Sequence, residues 1–135
     1  MGAMGATGRK ASPAATEPVV VGDGSAVLAY MANEREYDPA GSVHGGVIAT
    51  VLDEAMGRAV QTLLEPGDGS RTAELRTSYR RPVTVGSGPL RVEAAVLHAG
   101  PTTALVEARL VDAEGRLFAQ ATATWALTRA APLAA

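Results

Sequence analysis

GGVIATVLDEAMGRAVQTLL, residues 45–64, contains no proline and is dense in Ala, Val and Leu. The run predicts one helix of about five turns at 3.6 residues each. Glu65-Pro66-Gly67-Asp68-Gly69 supplies the stop, since Pro and Gly cannot continue a helix cheaply. Steps of 100° sort the helix into three faces. Ile48, Leu52, Ala55, Met56, Ala59 and Leu63 form a core stripe. Glu54 and Arg58 share a polar face at the spacing of an ion pair with the acid first. Gly46, Thr50, Asp53 and Gly57 occupy the third face.

Outward from the helix, the chain reads as strands. Ser25 to Ala32 is an apolar strand ahead of it, followed by a loop with Asp38, Pro39 and Gly41. Beyond the stop, Thr72 to Pro82 alternates, with Leu75, Thr77 and Tyr79 on one side and Glu74, Arg76, Ser78 and Arg80 on the other. Gly86-Ser87-Gly88-Pro89 breaks it. Leu90 to His98, Thr103 to Val111 and Leu117 to Leu127 follow, with turns at Gly100-Pro101 and Asp112-Ala113-Glu114-Gly115. Short connections make the four later strands antiparallel, and one helix covers one face of their sheet. The class is α+β. The other face and the edges need cover, so self-association is expected.

The 135 residues are a one-domain length. Residues 1–17 are small, polar and glycine-rich and are read as a disordered leader, residues 18–129 as the domain, and 130–135 as a frayed tail. Hydrophobic residues make up 47% and aromatics only 4%, so Ala, Val and Leu must fill the core. The absence of cysteine excludes disulfides, a thiol nucleophile and thiolate metal sites, and it agrees with a cytoplasmic location. A net charge of −2 with dispersed basic residues gives no footprint for nucleic acid. No apolar run has the roughly 20 residues a membrane span needs, and no metal or organic cofactor is expected.

Asp53 is the acid that draws the eye. An ordinary helical Asp is solvated. This one lies on a stripe of small residues, which let a ligand or another backbone come close. Glu54 points about 100° away and is the poorer candidate. Before the helix stands Ser42-Val43-His44-Gly45-Gly46. Two readings of Gly45-Gly46 stand: bare N–H groups at the positive helix end that could hold a developing oxyanion, or a tight turn that needs glycine. His44, taken alone, reads as a structural histidine.

Asp38-Pro39-Ala40-Gly41-Ser42-Val43-His44-Gly45-Gly46, continued by Leu52-Asp53 and Ala55-Met56-Gly57, resembles the hotdog-fold thioesterases of the PaaI-like branch of the 4-hydroxybenzoyl-CoA thioesterase superfamily. Tyr79-Arg80-Arg81-Pro82-Val83 and Gly86 look like that family's second strand and following turn. The resemblance spans Val19 to Thr128. It implies a hotdog fold, a curved antiparallel β-sheet wrapped around one long central α-helix. It also implies protomers joined as homodimers or homotetramers with sites at the dimer interface. By position, the Gly45 N–H would hold the oxyanion of an acyl-CoA thioester. Asp53 from the partner subunit would be general base or nucleophile. Thr72 would orient the attacking water, and His44 would support the loop. Asp38, Gly46, Thr50, Gly57, Arg80 and Arg81 would line the substrate. One departure is Asp38, where many members carry Asn: an amide donates, whereas an ionised Asp only accepts. Asp38 either pairs with His44 or caps the loop.

Thioester hydrolysis needs a positioned water, one base and one oxyanion donor. Coenzyme A phosphates need cations, for which Arg76, Arg80, Arg81 and Arg91 are candidates beside the reading of each as solvated surface. Three rival readings remain: a hotdog hydratase or dehydratase, a non-catalytic acyl-CoA-binding hotdog module supported by Asp38, and a small protein-interaction domain. The acyl group is open, because an Ala- and Val-rich pocket suits aliphatic and small aromatic chains equally.

Overall fold

In a computed structural model, which describes residues 14–130, alternation becomes a sheet of six strands. They are Glu17–Gly22 (β1), Ser25–Tyr30 (β2), Gly69–Tyr79 (β3), Leu90–Ala99 (β4), Thr103–Asp112 (β5) and Leu117–Thr128 (β6), and the helix Gly45–Gln61 (α1) stands between β2 and β3. The order across the sheet is β1-β2-β4-β5-β6-β3, with every neighbouring pair antiparallel. One face of β2, β4, β5 and β6 buries small and branched residues, among them Leu28, Val92, Val106, Ala108 and Ala121. They pack on Val51, Leu52, Ala55, Met56 and Ala59 of α1. Alanines on the sheet let the helix lie close, and each larger aliphatic side chain buried there contributes about 1.5–3 kcal/mol of transfer free energy. The helix touches all six strands, so the curved sheet wraps it as the α+β hotdog reading requires.

Several expectations change in detail. The helix ends at Gln61 rather than Leu64: the Thr62 hydroxyl donates to the Ala59 carbonyl (2.7 Å) and accepts from Gly24 N–H (2.7 Å), which closes the last turn against the β1–β2 hairpin. Leu63 therefore leaves the core stripe and stands 42% exposed, while Val51 and Val60 join it. Among the described residues no ion pair joins Glu54 to Arg58; the Glu54 carboxylate instead accepts from the Thr16 hydroxyl (2.8 Å). β3 begins three residues earlier than its alternation suggests, at Gly69. It does not form a hairpin with β4. The intervening chain is too long for a tight turn and includes a 3-10 turn at Val85–Ser87, so β3 pairs with β6 at the far edge.

The leader boundary also moves. Residues 1–13 and 131–135 lie outside the described residues, and with them most of the expected leader and tail. Ala14 and Thr16, however, are buried, and Glu17 already opens β1. Val19, Val20 and Val21 are all exposed on that edge strand, so the alternation that marks a half-buried strand is missing from its sequence. At the other end, Ala130 N–H donates to Asp68 Oδ1 (2.9 Å) and anchors the chain just past β6.

Candidate active site

The mouth of α1 is fixed by three separate ties. Tyr30, fully buried on β2, donates to Glu36 Oε1 (2.6 Å). Burial pushes the Tyr30 phenol far above its ordinary value, and the Glu36 hydrogen bond and charge add to that. The Glu36 carbonyl accepts from His44 N–H (2.9 Å), and the Val83 carbonyl accepts from Val43 N–H (2.9 Å). His44 is the helix N-cap; its side chain is exposed and makes no capping bond. Its carbonyl accepts from both Val47 N–H (3.0 Å) and Ile48 N–H (3.2 Å). The N–H groups of Gly45 and Gly46 have no acceptor among the described residues. They are the bare donors anticipated at the positive end of the helix dipole.

Asp38 is a loop cap. Its Oδ1 accepts from Ala40 N–H (3.0 Å) and Ser42 N–H (3.4 Å), and its N–H donates to the Ser42 carbonyl (2.8 Å). Of the two roles considered for it, pairing with His44 does not occur among the described residues. An Asn could make the same cap with its amide oxygen, so the departure leaves the loop intact.

Asp53 and Thr72 come together. The Thr72 hydroxyl donates to Asp53 Oδ1 (2.6 Å), and both side chains are partly buried. The pair is framed by Trp125, which stands opposite Thr72 in the sheet and reaches α1 one turn past Asp53. A Cβ on Gly57 would stand 2.8 Å from Cη2 of that indole. Packing thus accounts for Gly57, which is not needed as a ligand contact. Thr50 is likewise occupied, its hydroxyl donating to the Gly46 carbonyl (2.9 Å). Gly46 itself is open, with nothing within 4 Å of where a Cβ would sit.

A cavity of about 350 Å³ opens beside the helix mouth. Its apolar floor includes Val43, Ile48, Val83 and Phe118, and Gly45, Tyr79, Arg80 and Arg81 line it as well. Arg80 and Arg81 have no ion-pair partner among the described residues. Of the other arginines, Arg91 is paired with Glu93 (2.6 Å), and Arg76 lies with Arg109 and Glu107 in a groove on the opposite face of the sheet. Tyr79, Phe118 and Trp125 carried no assigned role in the sequence reading. Phe118 and Trp125 offered rarity as a signal, because aromatics are 4% of the chain, and Tyr79 stood besides in the strand alternation and in the family motif.

Asp53 does not line the cavity. Eight residues of helix separate it from Gly45, about 12 Å along the axis at 1.5 Å per residue. The two groups of one protomer therefore cannot meet the same carbonyl carbon. Among the described residues no cluster of His, Asp and Glu could hold a metal ion, and no helix is long and apolar enough to cross a membrane.

Comparison with known proteins agrees with this geometry. The profile of the thioesterase superfamily matches residues 40–119. A Saccharolobus solfataricus protein with a provisional esterase name is 34% identical over 102 residues, which is 76% of this chain and 66% of that protein, so the chain spans just under two thirds of this relative. A solved structure from Ralstonia eutropha JMP134, a phenylacetic acid degradation-related protein provisionally named a thioesterase, superposes with TM-score 0.78 at 31% identity, covering 86% of this chain and 87% of that one. A Streptococcus mutans UA159 protein solved bound to acetyl CoA shares the fold at TM-score 0.77 and 21% identity, over 87% and 91% of the two chains. With its hotdog fold, its helix-mouth glycines and PaaI-like structural neighbours, the chain belongs to the thioesterase superfamily.

Proposed function

We propose that the chain hydrolyses an acyl-coenzyme A thioester to the free acid and coenzyme A. Asp53 acts as base or nucleophile and the Gly45 N–H as oxyanion donor. The observation that carries the reading is the Thr72–Asp53 hydrogen bond (2.6 Å), which fixes a carboxylate on a half-open face beside an edge strand. In the base form of the mechanism, Asp53 takes a proton from a water while the water oxygen attacks the thioester carbon. The carbonyl electrons move onto oxygen, where the bare amide receives the charge, and collapse expels the coenzyme A thiolate. In the nucleophile form, a carboxylate oxygen attacks first, the C–S bond breaks to expel the coenzyme A thiolate as the acyl-aspartyl anhydride forms, and water then cleaves that anhydride to the free acid and the aspartate.

The 12 Å estimate along the helix supports a site shared between protomers, Gly45 of one and Asp53 of its partner. The free edge of β3 is the means of bringing them together: it is an eleven-residue strand with Leu75 and Tyr79 exposed on its helix-facing side. Arg80 and Arg81 at the cavity rim are the cations best placed for the phosphates. The same fold accommodates acetyl CoA in the Streptococcus mutans protein. The non-catalytic reading loses its main support, since Asp38 is a loop cap that leaves the helix mouth open.

The test is free-thiol release from a panel of aliphatic and aromatic acyl-CoAs by the wild type and by Asp53→Ala. Loss of the base is expected to lower kcat by about two to four decades while the oligomeric mass stays unchanged. Equal rates in the two proteins would remove Asp53 from the mechanism, and no turnover of any thioester by the wild type would favour the binding module.

A further inference from the structure

Tyr79 ends β3 on its helix-facing side, opposite Ala119 of β6, and 52% of it is exposed. Its hydroxyl nevertheless reaches across to α1 and donates to the Gly45 carbonyl (2.7 Å). The approach is close. A Cβ on Gly45 would stand 3.2 Å from both Cζ and Oη of the ring, so the missing side chain of Gly45 is what admits Tyr79.

A peptide group is one conjugated plane, and the Gly45 carbonyl shares it with the Gly46 N–H. In the first turn of a helix the carbonyl points along the axis and the N–H points out of the mouth. A donor on that carbonyl draws electron density from the amide nitrogen, strengthens its N–H as a donor and fixes the plane. The preceding peptide is treated the same way, because the His44 carbonyl accepts two N–H groups while the Gly45 N–H stays bare. Both free amides at the mouth thus belong to peptides whose carbonyls are hydrogen-bonded, and the open space at Gly46 leaves its amide approachable.

We propose that Tyr79 is a positioning residue, whose hydroxyl orients and polarises the Gly45–Gly46 peptide so that the Gly46 N–H joins the Gly45 N–H as a second donor to the thioester oxyanion. The role rests on the thioesterase reading, but the contact does not. An oxyanion donor is worth about 10²–10³ in kcat, and cooperative polarisation strengthens a hydrogen bond by roughly 10–30%, so the hydroxyl accounts for about a 2- to 8-fold change in kcat.

The experiment compares the wild-type chain with Tyr79→Phe, which keeps the ring and removes the donor. The ¹⁵N–¹H resonances of Gly45 and Gly46 are recorded in the free protein. In parallel, kcat and KM are measured on whichever acyl-CoA the wild type hydrolyses fastest. The expected result is an upfield move of the Gly46 amide nitrogen with a smaller change at Gly45, and a 2- to 8-fold lower kcat with KM unchanged within about 2-fold. Tyr79→Leu is a second variant and is expected to move the Gly46 amide the same way. An unmoved Gly46 amide overturns the proposal, and so does a moved amide with kcat unchanged. A lower melting temperature with normal kcat would show a structural role only and would also overturn it. If the wild type hydrolyses no thioester, the reading beneath the proposal fails and the positioning role with it, while the amide shift still decides whether the Tyr79 contact exists.

Discussion

Replacing Gly57 by Ala sets two effects of opposite sign against each other. In a helix interior Ala is better than Gly by about 1 kcal/mol. Against that, the new Cβ would stand 2.8 Å from Cη2 of Trp125, a rigid and buried ring, and overpacking of a core costs about 1–3 kcal/mol. The net effect is a loss of about 1 kcal/mol, or roughly 4–8 °C in Tm for a domain of about a hundred residues. Trp125→Phe removes the outer ring that carries Cη2. In that background the same Gly57→Ala change should stabilise by up to about 1 kcal/mol, because only the helix preference remains. Urea titrations of the four proteins, followed by far-UV circular dichroism, give the coupling directly. It is expected at about 1–3 kcal/mol. Additive effects, or a stabilising Gly57→Ala in both backgrounds, would refute the packing account of Gly57 and return it to the candidate ligand contacts.

Two further predictions concern pH. The phenol of Tyr30 is raised by burial and by Glu36, so the folded state disfavours its ionisation. Its contribution to stability is intact below the ordinary phenol value of about 10 and is lost as pH rises beyond it; Tyr30→Phe should flatten that alkaline limb of a stability–pH curve. Asp68 is held below its ordinary value, first by Ala130 N–H, then by Glu65 N–H, with Arg129 adding to these against the opposing effect of burial. A depressed carboxyl stabilises above its unfolded value of about 4, and that contribution disappears as pH falls below it. Denaturant midpoints for Asp68→Asn should therefore fall less steeply than those of the wild type across the acid range.

The helix and five of the strands were legible because their signals are local: Ser25 to Ala32, which contains β2, is an apolar run ended by the loop with Asp38, Pro39 and Gly41. An uninterrupted apolar run closed by Pro66 and Gly67 marks a helix, and β3 to β6 alternate or lie between turn residues. β1 was not legible, since a valine run exposed on an edge strand shows no alternation. The pairing of β3 with β6 was hidden for a different reason: chain order says nothing about which edge a strand takes when its connection is longer than a hairpin turn. At the candidate site, the third helix face kept Asp53 apart from the core stripe but merged two kinds of small residue. Gly46 is open to approach and Gly57 is filled by Trp125, a distinction that depends on a strand some seventy residues away. Thr72 is a candidate through the family resemblance alone, since no local signal pairs it with Asp53. Tyr79 was assigned to the correct side of its strand without a partner, because a hydroxyl-to-carbonyl contact has no periodicity to read.

The position of β3 has a consequence for synthesis. Among the described residues its one sheet neighbour is β6, with Gly69 opposite Thr128. A chain emerging from the ribosome can form α1 and the β1–β2 hairpin early, and β4 can join them. Yet β3 must wait until β6 has been made and docked. Thr72 and Tyr79 both ride on β3, so the aspartate pair and the helix-mouth contact are assembled at the last step. Throughout that delay an eleven-residue strand has no partner on either edge, the condition that invites intermolecular pairing. Arg71, Glu74, Arg76, Arg80 and Arg81 stud this segment with charge. Charge of this kind on an unpaired strand opposes its pairing with a second chain.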